Sequence, residues 1–269
     1  DNQGTHNEKV LLREIGRLES SLKAAGEHEK LVFLHYPPLY QGYRCPEILR
    51  LLELSKNGLL FAVWETLYIT VVATLFAYVI GLPLGLTLVV TDKNGIRPMP
   101  VLNTVLGIVV NILRSVPFLI LAVMITPVTR AIVGKAIGTT AMIVPLTFAA
   151  APYIARMVES SIKEVDKGVI EAAEAMGTPR FQIITKVLVP EAKPSLITGA
   201  VISMVTILGY SAMAATIGGT GLGQIAIIYG HQRSNDDITW ICVLLTVVIV
   251  QIIQIVGTYI ARKTDKRIK

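Results

Sequence analysis

An all-α membrane protein is the fold class this sequence predicts, and three observations predict it. Of the 269 residues, 52% are hydrophobic and 16% charged, whereas a soluble domain carries about 25% charged residues. The mean hydropathy is +0.60. The apolar residues fall into runs long enough to cross a bilayer, which takes roughly 20 residues per helix. The cations gather beside those runs, as they do where charge sets the orientation of spans. Residues 1–57 balance their charges, so the remainder supplies the whole net charge of +6. That placement speaks for a lipid bilayer as the partner of the basic groups and against nucleic acid. Cys45 and Cys242 stand far apart with no metal-ligand spacing, so no disulfide framework or metal site is expected.

The spans follow in order. Leu59 to Val90 carries one charge, Glu65, and its Gly81, Pro83 and Gly85 are expected to kink or loosen the last turns. In "NILRSVPFLILAVMI", Arg114 falls where a mid-bilayer charge costs at least a few kcal/mol. A break at Ser115 and Pro117 removes the conflict. Met99–Leu113 then lies at the interface, Val116–Val133 spans, and Arg114 is a snorkelling cation. Ala136 to Ala155 is a third apolar run, Ser195 to Ile217 a fourth, and Ile238 to Ala261 a fifth. The connection between the third and fourth holds Arg156, Lys163, Lys167, Arg180, Lys186 and Lys193, and the tail after the fifth is also basic. Positive-inside counting therefore places that connection and the C-terminus in the cytoplasm, with the N-terminus outside.

That connection turns polar in "EAAEAMGTPRFQIITKVLVP", residues 171 to 190. Val169, Ile170, Ala173 and Met176 share one side of a short helix. Gly177 suits the left-handed residue that closes it, Thr178 suits the next N-cap, and Pro179 a first helical position. The second helix presents Phe181, Ile184, Val187 and Leu188 until Pro190 stops it. Two short half-apolar helices cannot span, but they can dock in a groove of a partner. The pattern Glu171, Ala172, Ala173, Gly177, Leu188 and Pro190 resembles the EAA loop of ABC-importer permeases, with Val189 where that family usually has leucine. The resemblance implies a type I permease with five transmembrane helices, whose cytoplasmic EAA loop couples it to a separate ATPase.

The likeness extends through "VWETLYITVVATLFAYVIGLPLG", "NILRSVPFLI", "VGKAIGTTAMIVPLTFAAAPYIARMVE" and "LGYSAMAATIGGTGLGQIAIIYG" to the permeases of methionine importers, over residues 57 to 269. It implies a homodimer of this chain, two copies of an ABC ATPase and an extracytoplasmic methionine-binding lipoprotein, in a bacterial inner membrane. ATP and Mg would be used by the ATPase, and this chain would bind no cofactor. Read from its own residues, "GYSAMAATIGGTGLGQ" ends an uncharged helix in glycines, which allow irregular backbone beside a cavity. Tyr210, Ser211, Met213, Gly218, Gly219 and Gly221 are the candidate pathway, with flexible Met213 as the gate. A second reading packs Met213 in an ordinary core.

Residues 1–56 stand apart as a separate segment. "LVFLHYPPLYQGYRCPEI" resembles a late part of calcineurin-like metallophosphoesterases, in which His35 would occupy a metal-ligand position. A two-metal site needs several ligands on converging loops, and the flanking ligand segments are missing, so His35 is a vestige and the segment a non-functional fragment or tail. An anchored phosphoesterase is disfavoured on that ground. An ion-coupled carrier or channel for small amino acids is the alternative transporter, but it needs ionisable groups within the spans, and only Glu65, Arg114 and Arg130 are there. No Gly-x4-Gly-Lys-Ser/Thr loop occurs, so the chain is expected to be non-catalytic and driven by its partner's ATP hydrolysis.

Overall fold

The computed structural model describes residues 58–265. The separate unit expected over residues 1–56, with His35, lies outside the described residues. Those described are helical, in the order α1 Leu59–Val90, α2 Pro100–Ser115, α3 Phe118–Met124, α4 Thr126–Val133, α5 Thr139–Lys163, α6 Lys167–Ala175, α7 180–191, α8 Lys193–Ala214, α9 222–231 and α10 Asp236–Thr264. Four of these, α1, α5, α8 with its continuation to Ile217, and α10, are each long and apolar enough to cross a membrane.

The core lies between α1 and α5. Ala73, Ala77, Gly81 and Gly85 recur every four residues on α1, and the buried Ala151, Ile154, Ala155 and Val158 of α5 meet that stripe. A Cβ on Gly81 would sit 2.8 Å from the Ala151 carbonyl oxygen, and one on Gly85 2.5 Å from that of Ala155. Small residues at this spacing let two membrane helices approach almost backbone to backbone. The helix runs unbroken through Pro83 to Val90. The glycines expected to loosen its end therefore serve as a packing seam, a correction with a steric cause.

Glu65 of α1 meets Thr139 at the start of α5, and Asp92 just after α1 meets Lys163 at its end. The two helices are therefore parallel. Helix α8 runs the other way, with Ser195 bonded to Glu164 and Gly218 bonded to Gly138 at its far end. Because α1 and α5 are parallel, the intervening residues 91–138 must return across the bundle, giving a fifth passage.

That passage is not the single span expected over Val116–Val133. Helix α2 and helix α3 meet at 101°, and the chain breaks again at Ile125 between α3 and α4. Pro117 sits just before α3 and Pro127 in the first turn of α4, where a missing N–H costs little. Arg114 is exposed in the last turn of α2, where a cation is favoured by the helix dipole. The third, fourth and fifth long helices lie where hydropathy put them, with ends shifted by a few residues.

Candidate functional site

Two groups of residues were singled out by the sequence, and they lie at opposite ends of the bundle. The first is the hairpin of α6 and α7. Asp166 caps α6 by accepting from Gly168 N at 2.7 Å. At the other end Gly177 has φ +72°, Gly177 N donates to Glu174 O and Thr178 N to Ala173 O. This pair of bonds is a Schellman closure, and it satisfies carbonyls the helix would otherwise leave open. Thr178 makes no side-chain cap. Pro179 takes the N-cap position of α7 instead.

Helix α7 also departs from expectation. Its middle, Ile183–Leu188, is a π turn, and helix continues over Val189–Glu191, so Pro190 does not stop it. The wider turn removes the need for a donor at position 190, which a proline cannot supply. It also changes the buried face: Ile183 and Leu188 are inside, while Phe181 is 74% exposed. Of the six coupling candidates, Ala173 and Leu188 are buried and hold the hairpin down. Glu171, Ala172, Gly177 and Pro190 are exposed, as are the apolar Met176 and Phe181. A cleft of about 480 Å³ separates the hairpin from the turn after α1. Glu171, Glu174, Lys167 and Leu188 line one side, and Asp92, Gly95, Ile96 and Lys163 the other. Lys163 Nζ lies 2.8 Å from Asp92 and 2.9 Å from Glu159. The Lys163 hydrogen bond, ahead of smaller backbone contributions, holds the Asp92 carboxyl below its usual range.

The second group is the glycine turn after α8. Tyr210 stacks flat on Phe118 of α3, with ring centroids 5.2 Å apart. Buried Ser211 donates to Leu208 O at 2.7 Å. Met213 is 51% exposed and so lies outside this chain's core. Gly218 and Gly221 have φ near +95°, and Gly219 is buried with Ala214 O 2.8 Å from where a Cβ would be. Three anchors sequence reading missed fasten this turn. Thr66 Oγ1 accepts from Leu222 N at 2.9 Å, Gly138 N donates to Gly218 O at 3.1 Å, and Thr139 Oγ1 lies 2.9 Å from Thr220 Oγ1. Thr139 Oγ1 is also 2.6 Å from Glu65 Oε1. The lone acid of the first span needed a polar partner, and that was the available signal for this group.

Among the described residues no group of three His, Cys, Asp or Glu could hold a metal ion. The two groups and the elements between them form one arrangement. It has an exposed, rigidly closed hairpin at one end, a fastened glycine turn at the other, and a broken helical passage between them.

Residues 78–266 match the family of binding-protein-dependent transport system inner membrane components. The chain belongs to this family. It is 49% identical over 214 residues to a probable D-methionine transport system permease of Vibrio cholerae, covering 80% of this chain and 95% of that protein. It is 44% identical to the methionine import system permease of Bacillus subtilis over 77% of this chain and 93% of that one. A solved structure described as an inward-facing conformation of the MetNI methionine ABC transporter matches at 44% identity with TM-score 0.78, covering 82% of this chain and all of that one. A bacterial alginate ABC transporter shares the fold alone, at 15% identity and TM-score 0.62. This permease is thus a multi-pass inner-membrane protein with the type I ABC-importer fold. It is a transport subunit and not an enzyme.

Proposed function

We propose that this permease carries methionine and related amino acids inward as a homodimer. Its partners are two copies of a cytoplasmic ABC ATPase and an extracytoplasmic methionine-binding lipoprotein. The observation that carries the reading is the hairpin. Its Schellman closure at Gly177 and its buried Ala173 and Leu188 make it rigid, while Met176 and Phe181 stand 78% and 74% exposed at its tip. A rigid element with apolar side chains projecting from it is what a partner's cleft can grip. The relatives' names supply the substrate, and their shared fold supplies the setting. The domain that transports covers residues 57–269. ATP and Mg act on the partner, and this chain binds neither.

In this reading the hairpin end and the C-terminus face the cytoplasm, and the glycine turn faces outward. Glu171, Ala172, Ala173, Gly177, Leu188 and Pro190 couple to the ATPase. Tyr210, Ser211, Met213 and the glycine turn Gly218, Gly219 and Gly221 border the pathway. Methionine is a zwitterion with an apolar, flexible side chain, so a passage of little fixed charge suits it once the binding protein has recognised its charged groups.

The test is uptake of labelled methionine by proteoliposomes holding the permease, ATPase and binding protein. The unaltered complex should accumulate methionine in the presence of ATP. Gly177→Val places a β-branched residue at φ +72°, a strain of about 1–2 kcal/mol, and Glu171→Lys reverses the charge beside the cleft. Both variants should insert normally yet lose uptake and retain less ATPase in pull-down. Wild-type uptake by both would remove the coupling assignment.

A further inference from the structure

Arg156, Glu159 and Lys163 lie three and four residues apart on α5, so they stand in one row along it. Arg156 and Lys163 each reach a different element, and Glu159 joins the two. Arg156 Nη1 donates to Glu159 at 2.7 Å, and Glu159 accepts from Lys163 at 2.9 Å. Lys163 bridges to Asp92 in the turn after α1 at 2.8 Å. At the other end of the row Arg156 Nη2 donates to Gly107 O at 3.1 Å and to Asn111 Oδ1 at 3.0 Å, both on α2. The row is continuous from the wall of the hairpin cleft, where Lys163 and Asp92 face Glu171 and Glu174, to the middle of α2.

Helix α2 in turn leads to the pathway candidates. It ends at the 101° bend, and the first residue of α3 beyond that bend is Phe118, stacked on Tyr210. Its start is tied to α1 by Asn103 Nδ2, which donates to Leu88 O at 2.6 Å and lies 3.1 Å from Thr91 Oγ1. Few of its side chains are inside the chain: Val110 is the one buried among the described residues. A helix so weakly packed is directed by its polar ties. Arg156 Nε is buried and finds no acceptor among the described residues, although a buried unpaired donor costs about 1–3 kcal/mol.

We infer that Asp92, Lys163, Glu159 and Arg156 form a charge relay. It passes displacement of the α6–α7 hairpin to α2, and through the Phe118–Tyr210 stack to the residues around Met213. The four act as positioning residues. This rests on the transport reading above.

The test uses the complete complex in proteoliposomes and reads methionine taken up per ATP hydrolysed, together with ATPase retention. A structural lesion lowers uptake and hydrolysis together, whereas loss of the relay lowers their ratio. Arg156→Gln should lower that ratio about tenfold, within the usual range of coupling between sites, with ATPase retained. The exposed Lys163→Gln should lower it in the same sense and serves if Arg156→Gln fails to assemble. A ratio within twofold of the unaltered chain in both single variants would overturn the relay. A second readout needs no substrate. Spin labels at Val105 on α2 and Ile202 on α8 should change separation when ATP and vanadate are added, and Arg156→Gln should abolish the change. A shift retained in Arg156→Gln would also overturn the relay. A shift seen only in the unaltered complex that takes up no methionine would sink the substrate assignment and leave the relay standing.

Discussion

Thr66 uses one hydroxyl twice, donating to Ala62 O at 2.9 Å and accepting from Leu222 N at 2.9 Å. A hydroxyl has one proton and two lone pairs, so both bonds are made without competition. The second exists because Gly221 lets the backbone come so near: its Cβ would lie 2.5 Å from Thr66 Oγ1, at φ +95°. Gly221→Val should therefore break the anchor and strain the turn, lowering the melting temperature in detergent and abolishing uptake. Gly209→Ala is the contrast, since nothing lies within 4 Å of its Cβ position and it sits inside α8. It should be neutral or stabilising by up to about 1 kcal/mol. If Gly221→Val melts like the parent, the turn is not held as described. Met213 is tested by size. With its side chain outside the core, Met213→Ala should raise ATP hydrolysis or substrate leak while the complex still assembles. Met213→Trp should block uptake, and unchanged uptake in both would leave Met213 out of the pathway.

Among elements, the turn between α1 and α2 shows how a surface contact fixes a helix end. The Asp92 carboxyl is held below its ordinary value chiefly by the Lys163 hydrogen bond. A depressed acid pKa stabilises the folded state above the ordinary aspartate value near 3.8. The stabilisation is lost as pH falls through the lower folded value. The melting temperatures of the unaltered protein and Asp92→Asn should therefore differ at pH 7 and converge below about pH 4. A gap unchanged at pH 3 would show that the bridge does not stabilise this turn. The contact joins residues far apart in sequence, and for that reason no local pattern announced it. The same holds for Arg156 on Gly107 and Thr139 on Glu65. What was legible was local: the limits of α1, which follow from its unbroken apolar run, and the Gly177 closure. The α3–α4 passage was misread because helices of seven and eight residues are too short to declare a period. Pro190 was misread because a π turn removes the local reason for a proline to end a helix.

At the scale of the whole molecule, five passages with α1 and α5 parallel leave both ends of the described chain on opposite faces of the membrane. In the proposed orientation, the basic residues at the hairpin end and after α10 face the cytoplasm. A single cysteine at Asn235, introduced in a background with both Cys45→Ser and Cys242→Ser, should be labelled in intact cells by an impermeant thiol reagent. One at Lys263 should be labelled only after permeabilisation. The opposite pattern would invert the proposed orientation and move the hairpin away from any cytoplasmic ATPase.

The parallel pairing of α1 with α5 also has a consequence for biogenesis. The seam that α1 presents, Ala73, Ala77, Gly81 and Gly85, is completed by a helix that starts only at Thr139. At a synthesis rate of about 5–20 residues per second, residues 91–138 delay that partner by roughly 2–10 s. Through that interval α1 sits in lipid with Glu65 and Thr66 lacking the groups that later engage them, and with its small-residue stripe bare. A site-specific photocrosslinker at Ala77 in stalled nascent chains should accordingly capture an insertion factor or lipid before residue 139 emerges, and α5 of the same chain afterwards.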